Sequence, residues 1–184
     1  MVHIVDASPT HYIIDKNESL TIDGYSQPGT SRNTASIGQP FNAKLGIQLN
    51  LYTITINNAN DLHITGLNIQ GHDNAIRYDS VDTTPPINDI WLEGNYFGTN
   101  IDGSNLAVAG YSSSGGIRFT QEMYGFVIGT NGDGVNDAGE FNIISGQNQP
   151  ISGLITIYSF DPITDVRISG NYIHTDYTGE VCSD

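Results

Sequence analysis

Apolar residues along this chain fall in short alternating runs. Leu62-His63-Ile64, Ile90-Trp91-Leu92, Phe126-Val127-Ile128 and Val166-Arg167-Ile168 each put two apolar residues on one face with a different residue between them. No window sustains apolar residues at i, i+3, i+4 and i+7, the spacing of an amphipathic helix. Most apolar runs are β-branched or aromatic and are cut every few residues by Gly, Asn or Asp. Those residues favour pleated strands and tight turns. The pattern predicts many short strands, each with one buried face, and little or no α-helix.

The runs also repeat. The stretch from Asn88 to Thr99 lies closely over that from Thr164 to Thr175, and Asp61-Leu62-His63-Ile64-Thr65-Gly66-Leu67-Asn68-Ile69 is a third copy. A fourth is split, with Gly125-Phe126-Val127-Ile128 separated by an insertion from Asn142-Ile143-Ile144-Ser145-Gly146. Smaller strand motifs follow the copies: Ala75-Ile76-Arg77-Tyr78, Gly116-Ile117-Arg118-Phe119 and Gly153-Leu154-Ile155-Thr156. A unit of three short strands cannot bury its own apolar face and must stack on its neighbours. Hairpin signals are scarce, and the one Asn-Gly pair, Asn131-Gly132, opens the insertion. That favours parallel coils over a meander or sandwich. The expected fold is an all-β parallel β-helix of about four to five turns with a few long loops.

Composition narrows the function classes. A chain of 184 residues, 38% apolar, suits a single domain over residues 1–184. Its formal charge of -14, with only 6 Lys plus Arg, argues against nucleic acid and anionic membrane as partners. Cys182 is the one cysteine, which excludes a disulfide framework and a CxxC zinc site. No apolar run approaches the roughly 18 residues of a membrane helix, so no membrane span is expected.

Four phrases carry a resemblance. TIDGYSQPGTSRNT (Thr21 to Thr34), GNYFGTNIDGS, GNYIHTDYTGE and IGTNGDGVNDAGEFNIISGQ (Ile128 to Gln147) resemble the right-handed parallel β-helix repeat proteins of bacterial cell surfaces, within the pectate-lyase-like superfold. The resemblance implies that fold, an extracellular or cell-surface setting, and a polysaccharide or glycan as partner. One departure is His174, which stands where those repeats carry Gly. Met1 precedes strand-like residues directly and Asp184 follows a repeat opening. The chain therefore reads as a segment of a longer secreted protein whose uncapped ends invite end-to-end or edge self-association.

Candidate chemistry sits in two places. The insertion Asn131-Gly-Asp133-Gly-Val-Asn136-Asp137, followed by Glu140, offers hard oxygens on a turned loop. Asn131, Asp133, Asp137 and Glu140 are thus candidate calcium ligands. The competing reading is a set of Asx turns that satisfy their own backbone. Elsewhere, strand alternation places His63, Trp91, Val127 and Arg167 in one exposed column on successive turns, with Thr65, Glu93 and Ser169 beside it. Arg77 would stack over Arg118 on a second face. Trp91, with Asp89 and Glu93 nearby and His63, Arg118 and Arg167 in reach, could cradle a sugar: the indole meets the apolar ring face and carboxylates take hydroxyl bonds.

Catalysis would require a sharper pattern. A lyase needs a cation as base beside calcium-binding carboxylates, and a hydrolase needs a placed pair of carboxylates. Neither stands out in the sequence. GxGxxG, the P-loop, HExxH and GxSxG are absent, and the His residues have no ligand spacing. Two functions stay open: a structural or adhesive module that requires no cofactor, with calcium as an optional stiffener, or part of a polysaccharide lyase or glycoside hydrolase.

Overall fold

The computed structural model describes residues 3–6, 11–16, 18–50, 52–71, 74–78, 87–105, 116–120, 122–146, 154–159 and 162–181. The chain is mostly β. It opens with β1 (His3–Asp6), β2 (His11–Lys16) and β3 (Leu20–Asp23), makes one 3-10 turn at Gly24–Ser26, and reaches β4 (Ile47–Asn50). Next come β5 (Thr53–Thr65), β6 (Leu67–Gln70), β7 (Ile76–Tyr78), β8 (Ile87–Glu93) and β9 (Tyr96–Phe97). The remainder is β10 (Ile117–Phe119), β11 (Met123–Gly129), α1 (Asp137–Glu140), β12 (Ile143–Ile144), β13 (Ile155–Ile157), β14 (Ile163–Ser169) and β15 (Tyr172–Ile173).

Two large parallel sheets account for these strands. One runs β1-β4-β6-β9-β12-β15; the other runs β13-β10-β7-β5-β8-β11-β14, with β2 and β3 also paired to β5. β5 is long enough to thread both wings of the second sheet, one wing holding β7 and the other β8. Each lap of chain visits the first wing, then the second, then the other sheet. Every repeat in the sequence corresponds to one such lap, and equivalent residues pair in register. Leu62 lies beside Ile90, Ile90 beside Phe126, and Phe126 beside Val166.

Those inward columns form the core. Leu62, Ile64, Leu92, Phe126 and Ile128 have no exposed surface, whereas Val166 and Ile168 on the last lap are 37% and 42% exposed. The difference follows from stacking: no described strand covers β14 on its far side.

Two corners hold the laps in phase. At the corner between the sheets, Asn95, Asn142 and Asn171 form a ladder. Asn142 Oδ1 accepts the Asn95 N–H (2.8 Å), Asn171 Oδ1 accepts the Asn142 N–H (3.2 Å), and Asn95 Oδ1 accepts the Leu67 N–H (3.0 Å). Each amide nitrogen in turn donates to a carbonyl of an adjacent lap, of Ile64, Leu92 and Ile128. Buried backbone groups at a bend have no ladder partner, and these side chains supply one.

The other corner lies between the two wings. There the alternation slips by one residue, and Asp61, Asp89, Gly125 and Asp165 take up the slip with positive φ (59°, 52°, 63° and 57°). Asp is among the few side chains that tolerate this conformation. The Asn-Asp steps of the repeat are therefore corner chemistry. Asp89 is not four regular strand residues from Glu93, as plain alternation has it.

Residues 24–46 pack back onto this frame. Phe41 stacks on Tyr172 (centroids 4.4 Å apart) and packs with Tyr96 and Phe141, covering the outward Tyr96–Ile143–Tyr172 column. Burying a Phe side chain contributes about 2–3 kcal/mol, enough to seat a long connection. Its seating is what brings Tyr25 and Arg32 to the candidate site.

Candidate functional site

The outward face of β3, β5, β8, β11 and β14 carries the column expected from alternation. Thr21, His63, Trp91, Val127 and Arg167 occupy consecutive register positions. His63 and Trp91 stack with centroids 5.3 Å apart and planes 6° from parallel. Neighbouring strands lie about 4.8 Å apart, so register alone brings the two rings together. Asp61 Oδ1 stands 3.2 Å from His63 Nε2, and the Asp61 side chain is 52% exposed.

Exposure along the column is uneven. Val127 is buried at 8% exposure although it points outward, so the column is not the single open stripe that alternation predicts. Arg167, at the far end, is exposed and donates from Nη1 to the Asn131 carbonyl at 2.5 Å. It is thereby tied to the insertion that follows β11. Beside the column, Thr65 pairs with Glu93, while Ser169 pairs with Gly129. Arg77 and Arg118 stack in register as expected, but on the other wing, where β10 lies between β7 and β13. The structure does not bring Arg118 to Trp91.

Two contributors, Tyr25 and Arg32, come from residues 24–46 and were missed by strand reasoning. Arg32 donates to Thr65 Oγ1 (3.1 Å) and lies 4.6 Å from the Tyr25 ring centroid. The Tyr25 hydroxyl donates to the Gly94 carbonyl at 2.7 Å, and burial pushes its pKa well up. A guanidinium over an aromatic face with one hydrogen bond is a held cation. The available signal was scarcity: Arg32 is one of only 6 Lys plus Arg and sits inside the TIDGYSQPGTSRNT phrase.

Glu93 is the electrostatic centre of this corner. Its pKa is raised, first by partial burial, then by the Glu140 carboxylate; His63 and Arg32 pull it back, and Asp133 adds a smaller push upward. Glu140 itself is only 7% exposed. Its backbone carbonyl accepts the Gly94 N–H (2.9 Å), which anchors α1 beside β8.

Asn131, Asp133, Asp137 and Glu140 do share one loop, and each carries an oxygen that accepts a hydrogen bond from within it. Asn131 Oδ1 accepts the Asp133 N–H (2.8 Å) and Asp133 Oδ1 the Val135 N–H (2.7 Å). Asp137 Oδ1 accepts from the Thr130 hydroxyl (2.8 Å), and Glu140 Oε2 from the Asn131 N–H (3.1 Å). Among the described residues, no three His, Cys, Asp or Glu side chains gather as a metal-holding group. Cys182, His72, Asp79 and the Ser112 to Gly115 stretch lie outside the described residues.

Two cavities lie away from the Trp91 face. One, about 340 Å³, is apolar and lined in part by Tyr12, Ile22, Leu49 and Ile54; the other, about 500 Å³, lies by Tyr172 and Ile173. No protein-family model, curated protein or solved structure matches the chain.

Proposed function

We propose that this chain is a right-handed parallel β-helix segment of a secreted or cell-surface protein, and that it serves as a rigid module contacting glycans through His63 and Trp91. The observation that carries this reading is the stacked His63–Trp91 pair on an outward strand face with carboxylates beside it. His63 and Trp91 are both half-exposed; a ring face left open by the stack suits the apolar face of a sugar, and adjacent carboxylates suit its hydroxyls. The repeating laps and the Asn ladder supply rigidity, so little ordering cost is added on binding. Titration calorimetry with neutral and charged oligosaccharides tests the reading. Binding by the native chain and its loss in Trp91→Ala are expected. Equal affinity in both proteins would overturn it.

The alternative is part of a polysaccharide-degrading enzyme, favoured by the proximity of Glu93 and Glu140. A carboxyl whose pKa is raised by burial beside a second carboxyl is an arrangement that an acid and its partner use. A reducing-end assay over acidic and neutral polysaccharides, with and without calcium, separates the two. New ends that vanish in Glu93→Gln would replace the module reading with the enzymatic one.

A further inference from the structure

We propose that the His63–Trp91 face selects glycans bearing protonated amino groups over neutral and uronic-acid glycans. This inference rests on the glycan-contact reading above and adds the charge class of the sugar. Its basis is the inventory of charge around the two rings. Asp61 is exposed beside His63, and Asp89 is exposed at the equivalent corner position one lap on, two residues before Trp91. Glu93 lies two residues after Trp91, paired with Thr65, and the buried Glu140 carboxylate acts on it. Asp61 therefore reaches the ring stacked on the indole, while Asp89 and Glu93 stand two residues to either side of Trp91 on β8.

The nearby cations are already engaged. Arg32 is held by Thr65 and the Tyr25 ring, and Arg167 by the Asn131 carbonyl. Those partners are neutral, so each guanidinium keeps its charge but is held in place; a uronate arriving over Trp91 would meet an excess of carboxylates, only partly offset by Arg32 and His63. A neutral sugar would gain stacking and hydroxyl hydrogen bonds to the carboxylates, but no ionic attraction. An amino sugar gains stacking, a charge-assisted hydrogen bond to Asp61 or Asp89, and attraction of its ammonium to the π face. The formal charge of -14 adds a long-range field that concentrates a cationic polymer at the surface.

The experiment titrates the full chain with fully deacetylated chitosan oligosaccharides, their N-acetylated counterparts and oligogalacturonate, at a pH where the amine is protonated. The deacetylated oligomer is expected to bind at least about tenfold more tightly than the N-acetylated one. That margin should shrink in 0.5 M NaCl, since screening weakens exposed charge pairs. The double variant Asp61→Asn, Asp89→Asn should lose the margin, with affinity for the deacetylated oligomer falling to that for the N-acetylated one, since the amide oxygens still accept from hydroxyls. Asn also tolerates positive φ, so this variant should fold, as circular dichroism would check. Trp91→Ala should lose both oligomers.

Equal Trp91-dependent affinity for the two oligomers would overturn charge selection and leave glycan contact standing. Binding of the deacetylated oligomer that survives Trp91→Ala would overturn the site in favour of diffuse electrostatics. No binding of any sugar would sink both readings together.

Discussion

Asn142 and Asn95 are joined by a 2.8 Å hydrogen bond from the Asn95 N–H to the Asn142 side-chain oxygen, one lap of chain apart. The same Asn142 amide donates to the Leu92 carbonyl at 2.8 Å. One fully buried side chain thus satisfies a donor and an acceptor at the corner where strand pairing is interrupted. Asn171, at the open end of the ladder, does the same work half-buried.

The ladder sets the first prediction. Asn142→Ala leaves the Asn95 N–H and the Leu92 carbonyl buried without their partners, at about 1–3 kcal/mol for each unsatisfied group. A fall in Tm of roughly 5–20 °C is expected, from about 2–4 °C per kcal/mol at this chain length. Asn171→Ala should cost visibly less, because Asn171 is itself half-exposed and trimming it opens its partners to solvent. Thermal unfolding followed by circular dichroism measures both; equal losses would mean that burial does not govern the ladder.

His174 occupies a glycine's place. Its φ is 60°, against 69° at Gly98 in the matching copy, and the two N–H groups donate to equivalent carbonyls of Ile144 and Ile69. A side chain in this region costs about 1–2 kcal/mol, partly offset in glycine by extra chain entropy. His174→Gly is therefore expected to stabilise the fold by roughly 0.5–1 kcal/mol. Urea denaturation is the measurement, and a lower midpoint would contradict the argument.

Glu93 makes stability depend on pH in a definite direction. Its folded-state pKa is raised, chiefly by burial and by Glu140, so the folded state prefers the protonated form. The contribution is fully present below the unfolded value of about 4.3 and is lost as pH rises through the folded value. Glu93→Gln should raise Tm at pH 7 by roughly 1–3 °C, the partly exposed carboxyl being screened by solvent. The gain should shrink as pH falls toward 4. A gain that grows on acidification would reverse the assignment.

Calcium should do little to the insertion loop. Binding it calls for about six to eight oxygens around one centre, whereas those of Asn131, Asp133, Asp137 and Glu140 accept hydrogen bonds that hold the loop's own turns. Melting curves in 5 mM calcium chloride and in 5 mM EDTA are expected to agree within about 1 °C. A rise of several degrees with calcium would make the loop a metal site.

The local rules for strands were all legible in the residues. Period-two alternation and the internal copies determined an all-β chain of stacked laps, the inward columns, and the pairing of His63 with Trp91 and of Arg77 with Arg118, because register follows from repeated length. Even the corner residues were visible as recurring Asn-Asp and Gly-Asn steps, although alternation by itself did not reveal that Asp61, Asp89 and Asp165 absorb a one-residue slip.

What only the tertiary structure decided concerns segments with no period. Residues 24–46 repeat nothing, so nothing local says that Phe41 seats on Tyr172 and carries Arg32 to Thr65. The insertion after β11 likewise gives no sign in sequence that Glu140 comes to rest beside Glu93 or that Arg167 reaches Asn131. Repeated strands take their neighbours from their own spacing. An aperiodic connection takes its place from whichever outward apolar column remains to be covered, and that is a property of the folded surface.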